Sequence, residues 1–446
     1  MRIETEDERI RHPLACLIPG PLFRDLFEHE LSEVQQRLMR LSLAKLKPNL
    51  DHFFSKDPDE KGLDWLCFVL SHPKIGDDTL ASLARVLNIS SVELFKSATL
   101  TGRLNVMKGL QSSEVLSLIQ AEDYDAFCFA AIGGHRQVLE KLIKQVPTQV
   151  SAMIRARDYA AFRWAAEGGD LVIMNRLIAL LPDEIKGMVR ADNYGAFQGA
   201  AIIGSQEIMD RLIALLPEDE LLMIRADSYV AFRMAAGGGH LHLMDNLINR
   251  APKEVLNMVR AVSYGAFLRA AEGGYLPVME KLITLAPDDQ PFMIKAQNYG
   301  AFSSAAWGGH LEVMNRLMIL APEEMQNMIT SSAYDAFRDA AWGGHLSAVK
   351  WLIKRAPHKV LPMIQALEYA PFRGAARGGH LAMMIFLLKL APNEALNMLK
   401  ASDYGALRWA VIGNHLPVIR WLLTMPCVKA YAMAHVDEYG GFLYHA

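Results

Sequence analysis

Apolar and polar positions follow one recurring pattern through most of the chain, and that pattern predicts groups of helices. A typical stretch, Tyr299 to Ala333, reads YGAFSSAAWGGHLEVMNRLMILAPEEMQNMITSSA. Its first segment is rich in small residues, which lets neighbouring helices approach closely, and two glycines then end the helix. The second segment places apolar residues three and four apart, as on one face of an amphipathic helix. A proline followed by two glutamates predicts a third, short helix, because proline tolerates the first turn and acids suit its positive end.

A tyrosine marks the same point of the pattern every 35 residues, from Tyr124 to Tyr439. Phenylalanine follows three residues later and glycine ten residues later in almost every repeat, with Leu407 and Asn414 as exceptions. A repeat of this length cannot bury its apolar faces alone, but stacking covers both of them. The pattern therefore predicts an all-α helical repeat solenoid with nine full repeats over residues 124–446 and a terminal half repeat. That half repeat is either a C-terminal cap or a truncated unit.

The consensus AFxxAAxGGHLxVMxxLIxLAP resembles the ankyrin repeat, whose paired alanines, Gly-His and following leucine and valine fall in the same register. The resemblance covers residues 124–446 and implies stacked helix pairs that bind other proteins. Two features depart from the family. Tetrapeptides such as Ala370-Pro371-Phe372-Arg373 replace the family's TPLH start, and the period exceeds the usual repeat of about 33 residues. The proline-led third helix is therefore expected to stand in place of the family's β-hairpin.

Residues 1–90 precede the repeats and are expected to form a small helical N-terminal capping subdomain. Apolar residues recur at helical spacing between Pro21 and Lys47, and two more helices are expected at 62–71 and 77–88. Residues 91–123 follow the repeat pattern more loosely, and we interpret them as a degenerate N-cap repeat. The segment Leu80–Leu94 also resembles a helix-turn-helix, which would indicate a DNA-binding transcriptional regulator. Its second helix would begin Ser91-Val92-Glu93, which has no lysine or arginine to contact DNA and places an acid near the phosphates. An ordinary helical corner is therefore favoured.

Composition narrows the function classes. Lysine and arginine number 46 against 49 acids, and this near-neutral balance argues against a surface that coats nucleic acid or adheres to membranes. No apolar run approaches the roughly 18 residues of a membrane-spanning helix. The cysteines, Cys16, Cys67, Cys128 and Cys427, lie far apart without metal-binding spacing. We interpret them as buried thiols of a protein in a reducing, cytoplasmic compartment.

Catalytic motifs do not occur in the sequence, so we expect no enzyme activity, no cofactor and no metal site. Histidine recurs at one repeat position: His135, His240, His310, His345, His380 and His415. Helices of adjacent repeats lie roughly 10 Å apart, too far for one ion to bridge these side chains, so we expect them to hydrogen-bond helix starts. The repeat tyrosines and one methionine per repeat are expected in the core. These methionines are Met153, Met188, Met223, Met258, Met293, Met328, Met363, Met398 and Met433.

Positions that vary between repeats are the candidates for partner binding. We number them from the repeat tyrosine, and the family resemblance implies that the first helix of each repeat lines the concave face. Position +4 holds Arg163, Arg233, Arg338, Arg373 and Arg408; position +5 holds Trp164, Met234, Arg269 and Trp409; position +8 holds Trp307, Trp342 and Arg377. Tryptophan and arginine are enriched in interface hot spots. Trp164 and Trp409 are as readily explained by packing between repeats, whereas Trp307 and Trp342 are expected to form an exposed aromatic patch.

These residues predict a protein–protein interaction scaffold that holds an acidic protein segment among arginines and tryptophans. Long arrays of such repeats resemble the ankyrin effectors that intracellular bacteria secrete into host cells, which makes a host protein the expected partner. Two alternatives remain at this stage: the DNA-binding regulator, and an adaptor with an activity in residues 1–90.

Overall fold

The structure is a computed structural model that describes residues 91–102, 112–413 and 415–435. The predicted capping subdomain at 1–90, most of the helix-turn-helix segment, Cys16, Cys67 and the terminal half repeat lie outside the described residues. The chain forms two compact units, residues 1–199 (unit 1) and 200–446 (unit 2), and each is described by itself.

The described residues form helices and turns without a strand, as the sequence predicts. The α-helices that begin in unit 1 are Ser91–Leu100, Ser112–Gln120, Asp125–Ile132, Arg136–Gln145, Val150–Glu167, Leu171–Leu180 and Ile185–Ile202. Those of unit 2 are Gln206–Leu215, Glu220–Gly237, Leu241–Arg250, Val255–Glu272, Leu276–Leu285, Gln290–Trp307, Leu311–Leu320, Met325–Trp342, Leu346–Arg355, Val360–Arg377, Leu381–Leu390, Ala395–Ile412, Leu416–Leu423 and Pro426–Ala434. Short 3-10 helices lie at Pro147–Gln149, Pro182–Glu184, Pro217–Asp219, Pro252–Glu254, Pro287–Asp289, Pro322–Glu324, Pro357–Lys359 and Pro392–Glu394.

Each repeat from Tyr124 to residue 435 contains the three predicted helical segments in the predicted order. In the repeat that starts at Tyr299, the first helix ends at Trp307 and the second is Leu311–Leu320. The 3-10 turn Pro322–Glu324 then leads into the third helix, which begins at Met325. The third helix stands where an ankyrin repeat would have a β-hairpin, and none forms in the part of the chain described. The fold is thus an all-α, ankyrin-like array of helical repeats.

Packing between repeats is carried by the long helices that contain the first-helix segments. Gln290–Trp307 packs against Met325–Trp342, which in turn packs against Val360–Arg377. In unit 1 the helix Ser91–Leu100 packs in the same way against Asp125–Ile132, and its Phe95 is buried. The interpretation of residues 91–123 as a cap repeat stays a prediction.

Within the described residues up to Tyr404, each third helix joins the next first helix through a left-handed turn that the sequence did not predict. The 18-residue helix Gln290–Trp307 contains one extended residue, Ala296, followed by Gln297, Asn298 and Tyr299 with φ of 48°, 57° and 64°. The same run of three positive φ values recurs in the other repeats, always without glycine. Each such residue costs about 1–2 kcal/mol, because its Cβ approaches the following carbonyl oxygen. The turn is therefore a point of stored strain.

Glycine is expected to stabilise the fold at Val262, where a β-branched residue occupies the left-handed turn. Val262 has φ of 51° and a side chain that is 51% exposed, so its removal relieves backbone strain and loses little packing. Val262→Gly should raise the free energy of unfolding by about 0.5–1 kcal/mol. This is the relieved strain minus the entropic cost of ordering glycine, which is more flexible in the unfolded chain. Denaturant unfolding measures the change. The control is Val172→Gly, 55% exposed in an ordinary helix, where a loss of about 0.5 kcal/mol is expected; equal losses at both positions would refute the strain.

The core consists of side chains that recur in every repeat. The phenylalanine at position +3 is at most 1% exposed wherever it occurs in the described repeats, and the predicted methionines from Met153 to Met398 are fully buried. Met433 is 60% exposed, so its assignment to the core is wrong, because no described repeat follows to cover it. Cys128 is buried as predicted, and burial raises the pKa of its thiol to about 12, whereas Cys427 is only half-buried.

Most repeat tyrosines are half-buried, not core as predicted, because each phenol needs a polar partner. The Tyr299 hydroxyl donates to the Glu324 carboxylate at 2.6 Å, and Lys295 reaches the same carboxylate at 2.7 Å. These bonds, the lysine's first, lower the pKa of Glu324 to about 2. Tyr159, Tyr229 and Tyr369 make the equivalent bond to a glutamate 25 residues later. The regular spacing of 25 residues between tyrosine and glutamate therefore places a side-chain hydrogen bond in each of these repeats.

The repeat histidines bond across repeats and do not cap their own helix starts. The Nε2 atom of His415 lies 2.7 Å from the carbonyl oxygen of Arg377, at the end of the preceding first helix. His135 makes the same contact with Leu100. The prediction for the histidines is therefore wrong, because the longer imidazole reaches beyond its own helix. Two shorter side chains at the same position do cap their helices: Asp170 accepts from Ile173 N and Ser205 from Ile208 N. No group of three metal-binding side chains occurs among the described residues.

Candidate functional site: a tryptophan–arginine ladder

In unit 2, varied positions of four successive repeats form a line of stacked side chains. The rings of Trp307 and Trp342 meet edge to face, with centroids 4.7 Å apart and planes at 88°. The Cζ atom of Arg377 lies over two indoles, 4.6 Å from the centroid of Trp342 and 4.5 Å from that of Trp409. We call Trp307, Trp342, Arg377 and Trp409 the Trp–Arg ladder. The structure thus brings together four of the residues singled out from the sequence.

Small neighbouring residues make room for the ladder. The alanines that precede Trp342, Ala340 and Ala341, are fully buried and allow consecutive first helices to approach. Position +5 of the next repeat is Gly374, where a Cβ atom would lie 3.2 Å from that of Trp342. Trp307, Trp342 and Trp409 are half-buried and Arg377 is exposed. The ladder is therefore a partly accessible row of contacting rings, in place of two separate exposed tryptophans.

Several position +4 arginines serve the left-handed turn of their own repeat. In Arg233, Nε donates to the carbonyl oxygen of Ser228 at 3.2 Å and Nη2 to that of Asp227 at 2.9 Å. Arg163 and Arg373 make the same pair of bonds. These donors satisfy carbonyls that a left-handed turn would otherwise leave to water. The arginines thus have a structural role, and their part in partner binding stays a prediction.

The remaining predicted arginines differ in their surroundings. Arg338 pairs with Asp335, and its buried Nε has no hydrogen-bond partner within the described ranges. Arg408 is exposed and lies 4.0 Å from Asp403. Arg269 is also exposed. The pKa of the Arg233 guanidinium is lowered by its own burial and, to a smaller extent, by the positive charge of Arg269. Of these three, Arg269 and Arg408 are accessible to a partner.

In unit 1, Trp164 packs between repeats. Its ring stacks on Phe129, the position +5 residue of the preceding repeat, with centroids 5.6 Å apart and planes at 30°. The Arg157 guanidinium lies 5.9 Å from the same indole. Arg163, one residue before Trp164, pairs with Asp192 at 2.5 Å. These contacts account for Trp164 and Arg163 by packing and ion pairing within the unit.

Sequence reasoning missed Asp339, which lies one helical turn before Trp342. Burial raises the pKa of its carboxyl to about 6, against the opposing charge of Arg338. The available signal was that Asp339 is the one acid at position +5 among the repeats, a position otherwise held by apolar, small or basic residues. An isolated acid in such a row indicates a special environment.

Asp339→Asn is expected to change the pH dependence of stability. In the folded chain the Asp339 carboxyl stays protonated up to about pH 6, whereas in the unfolded chain its pKa is the ordinary 3.8. Protonation therefore favours the folded state, and this stabilisation is lost as the pH rises towards 6. Wild-type stability should therefore lose on the order of 2 kcal/mol between pH 4 and 6, relative to the variant, which does not titrate. Urea unfolding at several pH values measures the difference. Asp288→Asn, an exposed acid, is the control, and parallel curves for wild type and Asp339→Asn would contradict the assignment.

No protein-family model matches the chain, and no curated protein matches it. Among solved structures, the chain is similar to an ankyrin repeat family protein from Legionella pneumophila, at 22% sequence identity. The match covers 79% of this chain and 96% of that one, with a TM-score of 0.29. Separately, none of the described helices combines the length and apolarity needed to cross a membrane.

Proposed function

We propose that the protein is a protein-interaction scaffold and that unit 2 holds its partner on the surface lined by the first helices. The observation that carries this proposal is the Trp–Arg ladder. Its residues occupy positions that vary between repeats, whereas the side chains that bind repeats together recur at fixed positions. Half-buried tryptophans beside an exposed arginine are the composition of interface hot spots. A stack of this kind offers a rigid aromatic edge and a fixed positive charge to a partner.

The partner we propose is an acidic segment of a protein, in a host cell into which this chain is secreted as an effector. Exposed arginines at 269, 377 and 408 favour an acidic ligand, because complementary charge steers encounter and suppresses wrong partners. The effector role is supported by the resemblance of the repeats to secreted ankyrin effectors. A cytoplasmic, reducing compartment agrees with the free thiols of Cys128 and Cys427.

Site-specific photo-crosslinking tests where the partner binds. A benzophenone amino acid replaces Ser304, which lies one turn before Trp307, and in a second protein it replaces Ile319 on the second helix of the same repeat. Ile319 is 68% exposed, so the control position is at least as reachable. In host-cell lysate, a specific crosslinked protein is expected from position 304 and not from 319. Crosslinking from position 319 alone would contradict the proposal.

A further inference from the structure

We infer that the Trp342–Arg377–Trp409 sandwich is a preformed carboxylate-binding site, and that the partner's anchor is an aspartate or glutamate side chain. This inference rests on the proposed function and makes it more specific. The Cζ atom of the guanidinium lies over the indole of Trp342, in the preceding repeat, and over that of Trp409, in the following repeat, at 4.6 and 4.5 Å from the ring centroids. A guanidinium is planar and directs its N–H donors outward in that plane, so donors that the protein does not use are open to an anion.

The donors of Arg377 are available, in contrast to those of a nearby arginine. The Arg373 side chain, one helical turn earlier, donates to the carbonyl oxygens of Glu368 and Leu367. The Arg377 guanidinium makes no hydrogen bond or ion pair within the described ranges, and the side chain is exposed. The indoles thus fix its orientation without using its donors. Because the rotamer is already restricted, binding an anion loses less side-chain entropy than it would at a free surface arginine.

The shape of the sandwich favours a planar anion. A carboxylate can meet the planar guanidinium with two parallel N–H···O bonds in one plane, next to the indoles of the preceding and following repeats. A phosphate group is tetrahedral, so two oxygens in that plane leave the others directed towards the rings. The apolar indoles cannot satisfy those charged oxygens. The geometry therefore favours carboxylate over phosphate.

Peptide binding to the full-length protein tests this inference. The probe is a fluorescein-labelled octapeptide of glutamate with blocked termini, titrated by fluorescence anisotropy at 0.15 M salt. Arg377→Lys keeps the positive charge but lacks the planar fork, and it is expected to weaken binding about tenfold. Arg420→Lys is the matched control, an exposed arginine on the second helix Leu416–Leu423, for which a change of less than about twofold is expected. Trp409→Leu, which leaves Arg377 in place but frees one face, is expected to weaken binding as well.

Three results would overturn the carboxylate site. One is equal affinity of wild type and Arg377→Lys, or no binding of the glutamate peptide. Another is tighter binding of a phosphoserine peptide of the same net charge. The third is equal binding of an alanine octapeptide with a free C-terminus, which would make the terminal carboxylate the ligand. In each case the crosslink from position 304 reports separately on the scaffold, so failure of the site is distinguishable from failure of the proposed function.

Discussion

Gly309→Ala is expected to lower the free energy of unfolding of unit 2 by about 3 kcal/mol or more. Gly309 has φ of 74°, where alanine costs about 1–2 kcal/mol. The added Cβ would also lie 2.6 Å from Cγ of His345, which no real structure tolerates. The imidazole would have to move, and it would lose its hydrogen bond to the backbone of Trp307 in the preceding repeat. One methyl group therefore disturbs both the end of a helix and the junction of two repeats.

Gly237→Ala is the matched control for this substitution. Gly237 ends the helix Glu220–Gly237 without a positive φ, and its nearest neighbour is the flexible side chain of Arg269, 3.2 Å away at Cβ. Alanine there should be neutral or stabilise by up to about 1 kcal/mol, since it favours helix. Urea unfolding followed by tryptophan fluorescence compares the two. Similar losses in both variants would mean that the left-handed glycine and its histidine do not hold the repeats together.

The double substitution Trp307→Ala and Trp342→Ala is expected to weaken binding of the crosslinked partner by at least about 2 kcal/mol, roughly thirtyfold. It removes two rings that contact each other and one face of the Arg377 sandwich. An exposed aromatic patch, as predicted from the sequence, could be removed with little change in stability. Because the rings are half-buried, we now expect a loss of about 1–2 kcal/mol in stability as well. Calorimetry with the purified partner measures the affinity.

Trp351→Ala separates the loss of a surface from the loss of stability. Trp351 is also half-buried, but it lies on the second helix Leu346–Arg355, where its indole donates to Asn315 at 3.1 Å and stacks under Arg355. The variant should lose comparable stability and keep its affinity within about twofold. A similar fall in affinity for Trp351→Ala would show that the double variant acts through general weakening of the fold.

The sequence predicted the repeat well because its signals are local and periodic. The glycine pair, the apolar spacing of the second helix and the proline before the third helix each specify one backbone feature. The left-handed turn escaped prediction because residues as different as Val262, Gln297 and Leu367 occupy it. Its stabilising contacts are made by Arg233 and its equivalents with backbone carbonyls, which no side-chain pattern reveals.

The sequence identified the residues of the Trp–Arg ladder, but it did not predict that their side chains contact one another. Trp307, Trp342, Arg377 and Trp409 stood out because they vary where the core does not. Sequence periodicity placed the first three in one row and Trp409 in another. That position +5 of one repeat meets position +8 of the repeat before depends on the offset between consecutive helices, which only the packed structure gives. Asp339 occupies the same position +5 as Trp409, and the sequence did not show that burial raises the pKa of its carboxyl.

Hydroxyl-radical footprinting of the tryptophans, with and without the bound partner, tests the central claim most directly. The invariant positions hold the repeats together and the varied first-helix positions meet the partner, so Trp307, Trp342 and Trp409 should oxidise more slowly in the complex. Trp351 and Trp421, on second helices of the same unit, should oxidise at unchanged rates. Protection of Trp351 and Trp421 without protection of the ladder would place the partner on the opposite set of helices and contradict the account.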